Sequence, residues 1–367
     1  MKYNLTIDAR MIKHSGIGTY TKNMIAAIAD NYNLTLLGNY DILNSFPWSK
    51  KVKTITANSP IYSLSEQMEL PKKIPPCDLF ISPHYNVPLK KIKALRRIVI
   101  IHDVNHLTKF NKISFVKRMY AKYMINVAIK KSDKIITVSG FSKSEISKYA
   151  NTQKKDITIT YCGLDGNELK NKIDDESLKR IRLKYNLPDN YLLFVGNMKP
   201  HKNIDVVIRA MKTLKDLYPD IKLVIVGATL NQLLQKLELL KYPGLENKIH
   251  TIEYIDNDEL PSVYKSAKCL VFPSVYEGFG LPPVEAMICS CPVIASNTAS
   301  IPEVCGDAAL YFSPQNVKEL VGNIELLIKN KDLQNELLLK GYKIAEKYSK
   351  EHFSEKLISA INDTLAK

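Results

Sequence analysis

Two glutamates, Glu277 and Glu285, stand eight positions apart in the segment YEGFGLPPVEAM, separated by two glycines and two prolines. A loop that turns into a helix accommodates this composition, because glycine lets the backbone approach a ligand and proline fits a first helical turn. A helix beginning here would point its amides and positive dipole end at a diphosphate. The pattern predicts Glu277 in a binding loop and Glu285 in the first turn, where they could meet a sugar and a ribose. The competing interpretation is a loop glutamate and a helix-start glutamate that bind nothing.

Cationic side chains cluster in a second segment, FVGNMKPHKNID. Lys199, His201 and Lys202 follow the apolar run LLFV, which is a predicted strand. A departing diphosphate develops negative charge, and a lysine can neutralise that charge where no metal does so. Solvated lysines ahead of a helix are the competing interpretation.

Two further motifs follow predicted strands in the first half of the chain. The segment SGIG places Gly16 and Gly18 after the first strand, either as a phosphate or sugar contact or as a plain turn. His102 ends the apolar run VIIH. It is predicted either to orient a sugar hydroxyl or to be a buried histidine bonded to a backbone carbonyl.

The elements that would position these residues alternate between apolar strands and amphipathic helices. Strands are predicted at residues 3–10, 34–37, 79–82, 97–102 and 134–139, and then at YLLFVGN, KLVIVG, KIHTIEYI, KCLVFPS and CPVIAS. This alternation predicts an α/β protein with two Rossmann-like domains, residues 1–170 and 171–349, and a ligand cleft between them. An amphipathic helix at about 350–367 is predicted to pack back across the junction.

The net positive charge lies entirely in the first half of the chain. Residues 1–170 hold 27 Lys and Arg against 12 Asp and Glu, whereas the remainder holds 25 of each. The segment 109–131 is a basic helix with Val116, Tyr120, Tyr123 and Val127 on one face. We predict an interface for anionic lipid headgroups and rank it above nucleic acid, for which no module is recognisable. A solvated helix that packs this stripe on a sheet is the alternative.

The sequence predicts a cytoplasmic protein that is peripheral on the inner face of the cell membrane. No apolar run approaches the ~20 residues of a membrane span, and no segment has the pattern of a signal peptide. The six cysteines lack the spacing of a metal site or a disulfide framework. No metal and no cofactor are expected.

Taken together, these motifs resemble the retaining glycosyltransferases of family four, which have the GT-B fold. The resemblance runs through nearly the whole chain, in the order SGIGTYTKNM, IHDVNHL, ITVSGFSKSE, ITYCGLD, LFVGNMKPHKN, EYIDNDELPSVY, VFPSVYEGFGLPPVEAM and CPVIASNTASIPEVCGDAALYF. The glutamate pair is its most specific mark. GT-B implies two facing Rossmann-like domains, with the acceptor on the first and the nucleotide-sugar on the second.

The resemblance also assigns roles to residues. Lys202 should neutralise the leaving diphosphate, Glu277 should lie near the donor sugar, and His102 should touch that sugar's hydroxyls. Many members carry an arginine where this chain has Asn197, so Lys199 or His201 is expected to substitute for it. The donor-binding residues implied are Gly16, Gly18, Asn197, Lys199, His201, Tyr254, Ile255, Phe279, Gly280, Leu281 and Glu285, with Glu285 on the ribose.

The resulting expectation is a metal-independent hexosyltransferase. It would move a hexose, mannose from GDP-mannose, to a lipid-linked glycan in O-antigen, capsule or other surface polysaccharide synthesis, because the variant motif resembles a bacterial mannosyltransferase subgroup. Other donors are the first alternative: UDP-GlcNAc, UDP-glucose, UDP-galactose or dTDP-rhamnose. A nucleotide-sugar epimerase and a non-catalytic lipid-binding protein are further alternatives.

Overall fold

The computed structural model describes residues 2–108, 113–152 and 155–367. The chain divides into two compact units. Unit 1 comprises Met1–Leu164 together with Lys350–Lys367, and unit 2 comprises Asp165–Ser349. Each unit is built around its own parallel sheet.

The strands of the described residues divide between the two sheets. Unit 1 contains β1 Asn4–Asp8, β2 Asn33–Gly38, β3 Val52–Thr56, β4 Cys77–Ser82, β5 Ala94–Ile100, β6 Lys134–Thr137 and β7 Ile157–Ile159. Unit 2 contains β8 Tyr191–Val195, β9 Lys222–Val226, β10 Ile249–Ile252, β11 Cys269–Phe272, β12 Val293–Ser296 and β13 Ala309–Phe312.

Helices follow most of these strands. In chain order they are α1 Ile17–Ile28, α2 Tyr40–Asn44, α3 Leu64–Lys73, α4 Phe115–Lys131, α5 Gly140–Tyr149, α6 Gly166–Asn171, α7 Asp175–Lys184, α8 Ile204–Leu217, α9 Leu230–Leu240, α10 Leu260–Ser266, α11 Leu281–Ile288, α12 Ile301–Cys305, α13 Val317–Lys329, α14 Lys331–Glu346 and α15 Lys350–Leu365. Among the helices of the described residues, none combines the length and the apolar character that crossing a bilayer requires.

Both sheets have the doubly wound strand order that creates a switch point. Unit 1 has the order β3-β2-β1-β4-β5-β6-β7, and unit 2 has the order β10-β9-β8-β11-β12-β13, with parallel pairing throughout. The order reverses between β1 and β4 in unit 1, and between β8 and β11 in unit 2. Loops beyond the carboxyl ends of those strands diverge and leave room for a ligand.

The apolar runs recognised in the sequence form the cores of the two units. In unit 2, strands β8, β9, β11 and β12 pack with α8 and α13 into one continuous cluster. In unit 1, Met24, Ile25 and Ile28 of α1 are buried as the helical periodicity predicts. Helix α15 returns to unit 1 and packs on α1 and β5 through a stripe that includes Phe353 and Leu357. The predicted fold class, with two Rossmann-like domains and a returning C-terminal helix, is confirmed.

The alternative interpretation of the basic helix, in which its aromatic stripe packs on a sheet, is wrong for Val116, Tyr120 and Tyr123. Helix α4 buries Ala121, Met124, Ile125, Ala128 and Ile129, whereas Val116, Tyr120 and Tyr123 are exposed. The small and aliphatic residues recur at the i, i+3, i+4, i+7 spacing of a packed stripe, and the aromatic residues lie outside it. Residues 109–112 of the predicted segment lie outside the described residues.

The position predicted for Glu285 within its helix is also wrong. Helix α11 begins at Leu281, so Glu285 is its fifth residue and lies beyond the first turn. The helix starts there because Gly280 has a positive φ of 96°, which separates the loop from the helix.

Gly18 is required by close packing within unit 1. A Cβ at this position would lie 2.3 Å from the carbonyl oxygen of Ile12. We expect Gly18→Ala to destabilise the protein by about 1–3 kcal/mol, because the backbone must shift to relieve the overlap. The measurement is thermal and urea unfolding of the full chain.

Gly322→Ala is the matched control for that substitution. A Cβ at Gly322, inside α13, would meet nothing within 4 Å, so alanine should stabilise the helix by about 0.5–1 kcal/mol. Equal stability of the two variants would contradict the packing explanation.

Candidate active site

An ion pair occupies the switch point of the unit 2 sheet. Lys202 lies in the loop after β8, and Glu277 lies in the loop after β11. The Lys202 ammonium is 2.7 Å from Oε1 of Glu277, and both side chains are largely buried, with 17% and 14% of their surfaces exposed. The ammonium is also 5.7 Å from the centre of the Phe272 ring at the end of β11. The structure thus brings together two of the three predicted catalytic residues.

Asn203 holds the loop that carries Lys202. It adopts a left-handed backbone conformation, with a φ of 54°, between a short 3₁₀ turn and α8. Its Nδ2 donates to the carbonyl oxygens of Pro273 and Pro314, at 3.1 and 2.7 Å. Asparagine suits this position because it tolerates left-handed geometry. The sequence interpretation missed Asn203, since its partners lie 70 and 111 residues away.

Ser300 holds the loop that carries Glu277. Its hydroxyl is placed to donate to two carbonyl oxygens, those of Glu277 at 3.0 Å and Phe279 at 2.9 Å. The Val275 amide also donates to the carbonyl oxygen of His201 at 2.8 Å, which ties the two loops together directly. The sequence interpretation missed Ser300 as well, although it belongs to the ASIPEV motif that supported the family resemblance.

Glu285 has a different partner from Glu277. Its Oε2 accepts a hydrogen bond of 2.9 Å from the Tyr264 hydroxyl on α10. Burial raises the pKa of Glu285 above its usual value, and the Tyr264 hydrogen bond opposes part of that rise. Burial and the neighbouring Glu285 raise the pKa of Tyr264, so its hydroxyl stays protonated and donates.

The other predicted donor-binding residues of unit 2 fall into two groups. Three precede Lys202: Asn197 and Lys199 are exposed, His201 is half-buried, and Asn197 Oδ1 accepts the Lys199 amide at 3.2 Å. The remaining residues lie on other loops or at the start of α11, and they differ in how far they are exposed. Tyr254 is 69% exposed and Ile255 is buried after β10, while Phe279 is buried against Tyr348 and Leu281 is half-buried at the start of α11.

Two of the predicted residues of unit 1, Gly16 and His102, lie next to α1 and after β5. Gly16 has a φ of 70° and is exposed just before α1. The Nε2 of His102 donates to the carbonyl oxygen of Pro83 at 3.0 Å, which is the arrangement of the buried-histidine interpretation. Burial lowers the pKa of His102 to about 4, so the ring is neutral at pH 7. With the proton on Nε2, its Nδ1 is an acceptor suited to a hydroxyl.

The described residues contain no group of three or more His, Cys, Asp or Glu side chains placed to hold a metal ion. Their six cysteines are all buried. Burial raises the pKa values of Cys269 and Cys289 to about 12, so these thiols remain protonated and pack as small apolar groups.

Comparison with solved structures identifies the fold first. Solved glycosyltransferase structures align with this chain over almost its full length. Sucrose-phosphate synthase from Thermosynechococcus elongatus aligns at a TM-score of 0.78, covering 100% of both chains at 16% identity. WaaG, a glycosyltransferase involved in lipopolysaccharide biosynthesis, aligns at 0.75, covering 97% of this chain and 98% of that one at 15% identity. These likenesses establish the fold.

The sequence of unit 2 carries the similarity to a family. Residues 174–344 match the family model described as glycosyl transferases group 1, in agreement with the resemblance that the motifs indicate. The chain is similar to the O-antigen chain mannosyltransferase RfbU of Salmonella typhimurium, with 29% identity over 68% of this chain and 65% of that protein. It is similar to O-antigen chain mannosyltransferase B of Escherichia coli, with 29% identity over 77% and 73%. The alignment with RfbU thus spans slightly less than two thirds of that protein.

Ser300 offers a direct test of the loop arrangement. We expect Ser300→Ala to destabilise the protein by about 1–3 kcal/mol, because two carbonyls of the Glu277 loop lose their donor. Thermal unfolding of the full chain measures the effect. Ser266→Ala, which removes a hydroxyl bonded within α10, is the matched control and should change stability by less than about 1 kcal/mol. Equal losses would contradict a special role for Ser300.

Proposed function

We propose that the protein is a retaining glycosyltransferase that moves mannose from GDP-mannose to a lipid-linked glycan in the synthesis of O-antigen, capsule or another surface polysaccharide. The observation that carries the proposal is the Lys202–Glu277 pair at the switch point of unit 2. The mannosyltransferase names of the similar proteins support the choice of sugar. Unit 2 binds the nucleotide-sugar, and unit 1 binds the acceptor.

Lys202 acts on the leaving group in this proposal. Cleavage of the sugar–phosphate bond leaves negative charge on the diphosphate, and a positioned ammonium stabilises that charge in the transition state. Glu277 holds the ammonium in place at 2.7 Å before the donor binds. When the diphosphate arrives, Lys202 exchanges one anionic partner for another, and Glu277 becomes available to the hydroxyls of the donor sugar.

Glu285 binds the ribose. Its Oε2 is engaged by Tyr264, which fixes the carboxylate and leaves Oε1 to accept a ribose hydroxyl. The start of α11 lies four residues before it and points its positive dipole end toward the diphosphate. We propose that these groups and Lys202 stabilise the leaving group without a metal ion, and that no other cofactor takes part.

Retention of configuration is consistent with this set of residues. In a retaining transfer, the acceptor hydroxyl approaches the face from which the diphosphate leaves, so the phosphate can accept the proton. The site then needs charge stabilisers rather than a protein base. His102, whose Nδ1 is a hydroxyl acceptor, is proposed to orient the donor sugar.

A second donor class is favoured by one comparison. The chain aligns with the Anabaena protein HepE in complex with UDP-glucose, at a TM-score of 0.78 and 17% identity over 98% of this chain and 100% of that one. A UDP-sugar is therefore the alternative donor. Thermal-shift screening against GDP-, UDP-, ADP- and dTDP-sugars separates the two, because a ligand at 100 times its Kd stabilises by about 2.7 kcal/mol.

Lys202→Ala tests the proposed chemistry. We expect kcat to fall by about 10²–10³, because the leaving diphosphate loses its cation. The melting temperature should also fall, because the largely buried Glu277 carboxylate loses its partner, so activity is measured well below that temperature. The measurement is release of nucleoside diphosphate from the donor selected by the thermal-shift screen, with EDTA present in a parallel series.

Lys222→Ala, an exposed lysine at the start of β9, is the matched control and should retain full activity. Full activity of Lys202→Ala would contradict the proposed mechanism. Loss of wild-type activity in EDTA, with recovery on adding a divalent cation, would contradict metal independence.

We also propose that unit 1 associates with anionic membrane as a cytoplasmic, peripheral protein. Helix α4 exposes Phe115, Val116, Met119, Tyr120 and Tyr123, and the two apolar residues at its start are each 76% exposed. Lys117 and Lys122 are exposed on the same helix. Apolar groups flanked by lysines suit the headgroup region of an anionic bilayer.

Charge reversal tests the membrane association. We expect the double variant Lys117→Glu, Lys122→Glu to lose at least tenfold in affinity for vesicles that contain anionic lipid, since each lysine near the surface contributes about 1 kcal/mol. Co-sedimentation with vesicles is the measurement. Reversal of the exposed Lys53 on β3 is the control. Binding that is equally strong to purely zwitterionic vesicles would contradict the electrostatic part of the proposal.

A further inference from the structure

The switch point of unit 1 holds a polar network that the proposed donor chemistry does not use. Arg10, just after β1, binds both carboxylate oxygens of Asp8, through Nε at 2.8 Å and Nη2 at 2.7 Å. The same guanidinium pairs with Glu66 on α3. The Glu66 side chain is fully buried and also accepts a hydrogen bond from Asn86, in the loop after β4. The network thus joins the loops that follow the two strands of the switch point.

This network supports Tyr62 in a strained conformation. Tyr62 has a φ of 67°, a value that bulky residues rarely adopt. Its amide donates to Oε2 of Glu66 at 2.8 Å, and its hydroxyl lies 3.0 Å from Nε2 of His84 and 3.4 Å from the hydroxyl of Tyr85. Tyr62 nevertheless remains 47% exposed. Several buried interactions therefore hold a partly exposed tyrosine at the carboxyl edge of the sheet.

The protonation of His84 fixes the hydrogen bonds of this cluster, which we define as Tyr62, His84 and Tyr85. The Nδ1 of His84 accepts the Asn86 amide at 3.2 Å, so its proton is on Nε2 and is donated to Tyr62. Burial, followed by the nearby His102, His106, His14 and Arg10, lowers the pKa of His84 to about 3. The ring is therefore neutral at pH 7.

The charges of the surroundings select the class of ligand. The charge of Arg10 is already matched by Asp8 and Glu66, and His84 is neutral. A phosphate would therefore find carboxylates rather than a free cation in this network. A neutral polyol fits better, because hydroxyls can bond to the phenol and amide groups while an apolar face lies on the exposed ring.

We propose that the Tyr62 cluster is the subsite for the acceptor sugar and that it binds a neutral hexose stacked on the Tyr62 ring. The strained backbone is the cost of holding the ring in the position that stacking requires. The assignment rests on the proposed transferase function, and it adds which residues of unit 1 recognise the acceptor and which chemical class of acceptor they take.

Tyr62→Gly separates this function from stability. Glycine adopts a positive φ freely, so relief of backbone strain offsets part of the stability lost with the Tyr62 hydrogen bonds, and the variant should remain folded at the assay temperature. We expect KM to rise at least tenfold for transfer to octyl glycosides of mannose, glucose, galactose and N-acetylglucosamine. The KM for the donor, and the rate at which the donor is hydrolysed without acceptor, should stay within twofold of wild type. Tyr62→Phe keeps the ring and should raise the acceptor KM less.

Tyr3→Ala is the matched control, because Tyr3 is 49% exposed and precedes β1 at the opposite edge of the sheet. It should leave every kinetic constant unchanged. An unaltered acceptor KM in Tyr62→Gly would overturn the assignment, as would a parallel fall in donor hydrolysis. Wild-type protein that hydrolyses the donor but transfers to none of the four glycosides would overturn the neutral-hexose class.

A binding experiment tests the acceptor subsite independently of the proposed transferase function. If wild-type protein turns over no nucleotide-sugar, the transferase proposal fails, and saturation-transfer NMR with the four methyl glycosides still tests the cluster. Binding by wild type that Tyr62→Gly abolishes and Tyr3→Ala retains would support the subsite. The absence of binding to any of the four would overturn it.

Discussion

The ion pair of Lys202 and Glu277 is the interaction on which the unit 2 site depends. Two opposite charges at 2.7 Å, largely withdrawn from water, attract strongly, but each has given up hydration to be there. Such a pair is stable only if the backbone holds both side chains in place. Asn203 and Ser300 provide that support, since each ties one of the two loops to carbonyls elsewhere in the unit. The pair is thus pre-formed, and an arriving diphosphate replaces an existing anionic partner instead of ordering a free lysine.

Unit 1 has the same kind of switch point as unit 2, but the residues at that point have different chemical properties. Both sheets reverse their strand order at one place, and in both units the loops beyond that place carry the buried polar residues. In unit 2 those residues present one lysine and a helix start, which suits an anion. In unit 1 the corresponding arginine, Arg10, is paired with two carboxylates, and the exposed group is a tyrosine. Position in the fold therefore predicts where a ligand binds, and the local charge predicts which ligand it is.

Much of this could be predicted from the sequence, because apolar runs and glycines report on local structure. The runs LLFV and CLVF predict strands and place Lys202 and Glu277 each just after one, whereas the adjacency of those two strands comes from the sheet topology. Strands β3 and β13 are not predicted because VKTIT and ALYF are only partly buried, and β7 is not predicted because it has three residues. Asn203 and Tyr62 could not be recognised, since their significance lies in a backbone angle and in partners distant along the chain. The packed stripe of α4 is not evident from its aromatic residues, because alanine, methionine and isoleucine side chains form it.

The structure also explains the eight-residue spacing of the two glutamates. Glu277 must remain in the loop to reach Lys202, which follows β8 on one side of β11. Glu285 must be far enough into α11 to reach Tyr264 on α10, which precedes β11. Gly280 ends the loop and Leu281 begins the helix, so a shorter segment would leave too little loop for the first contact or too little helix for the second. The spacing therefore follows from one segment serving two different neighbours, and the glycines and prolines between the carboxylates are what permit the change from loop to helix.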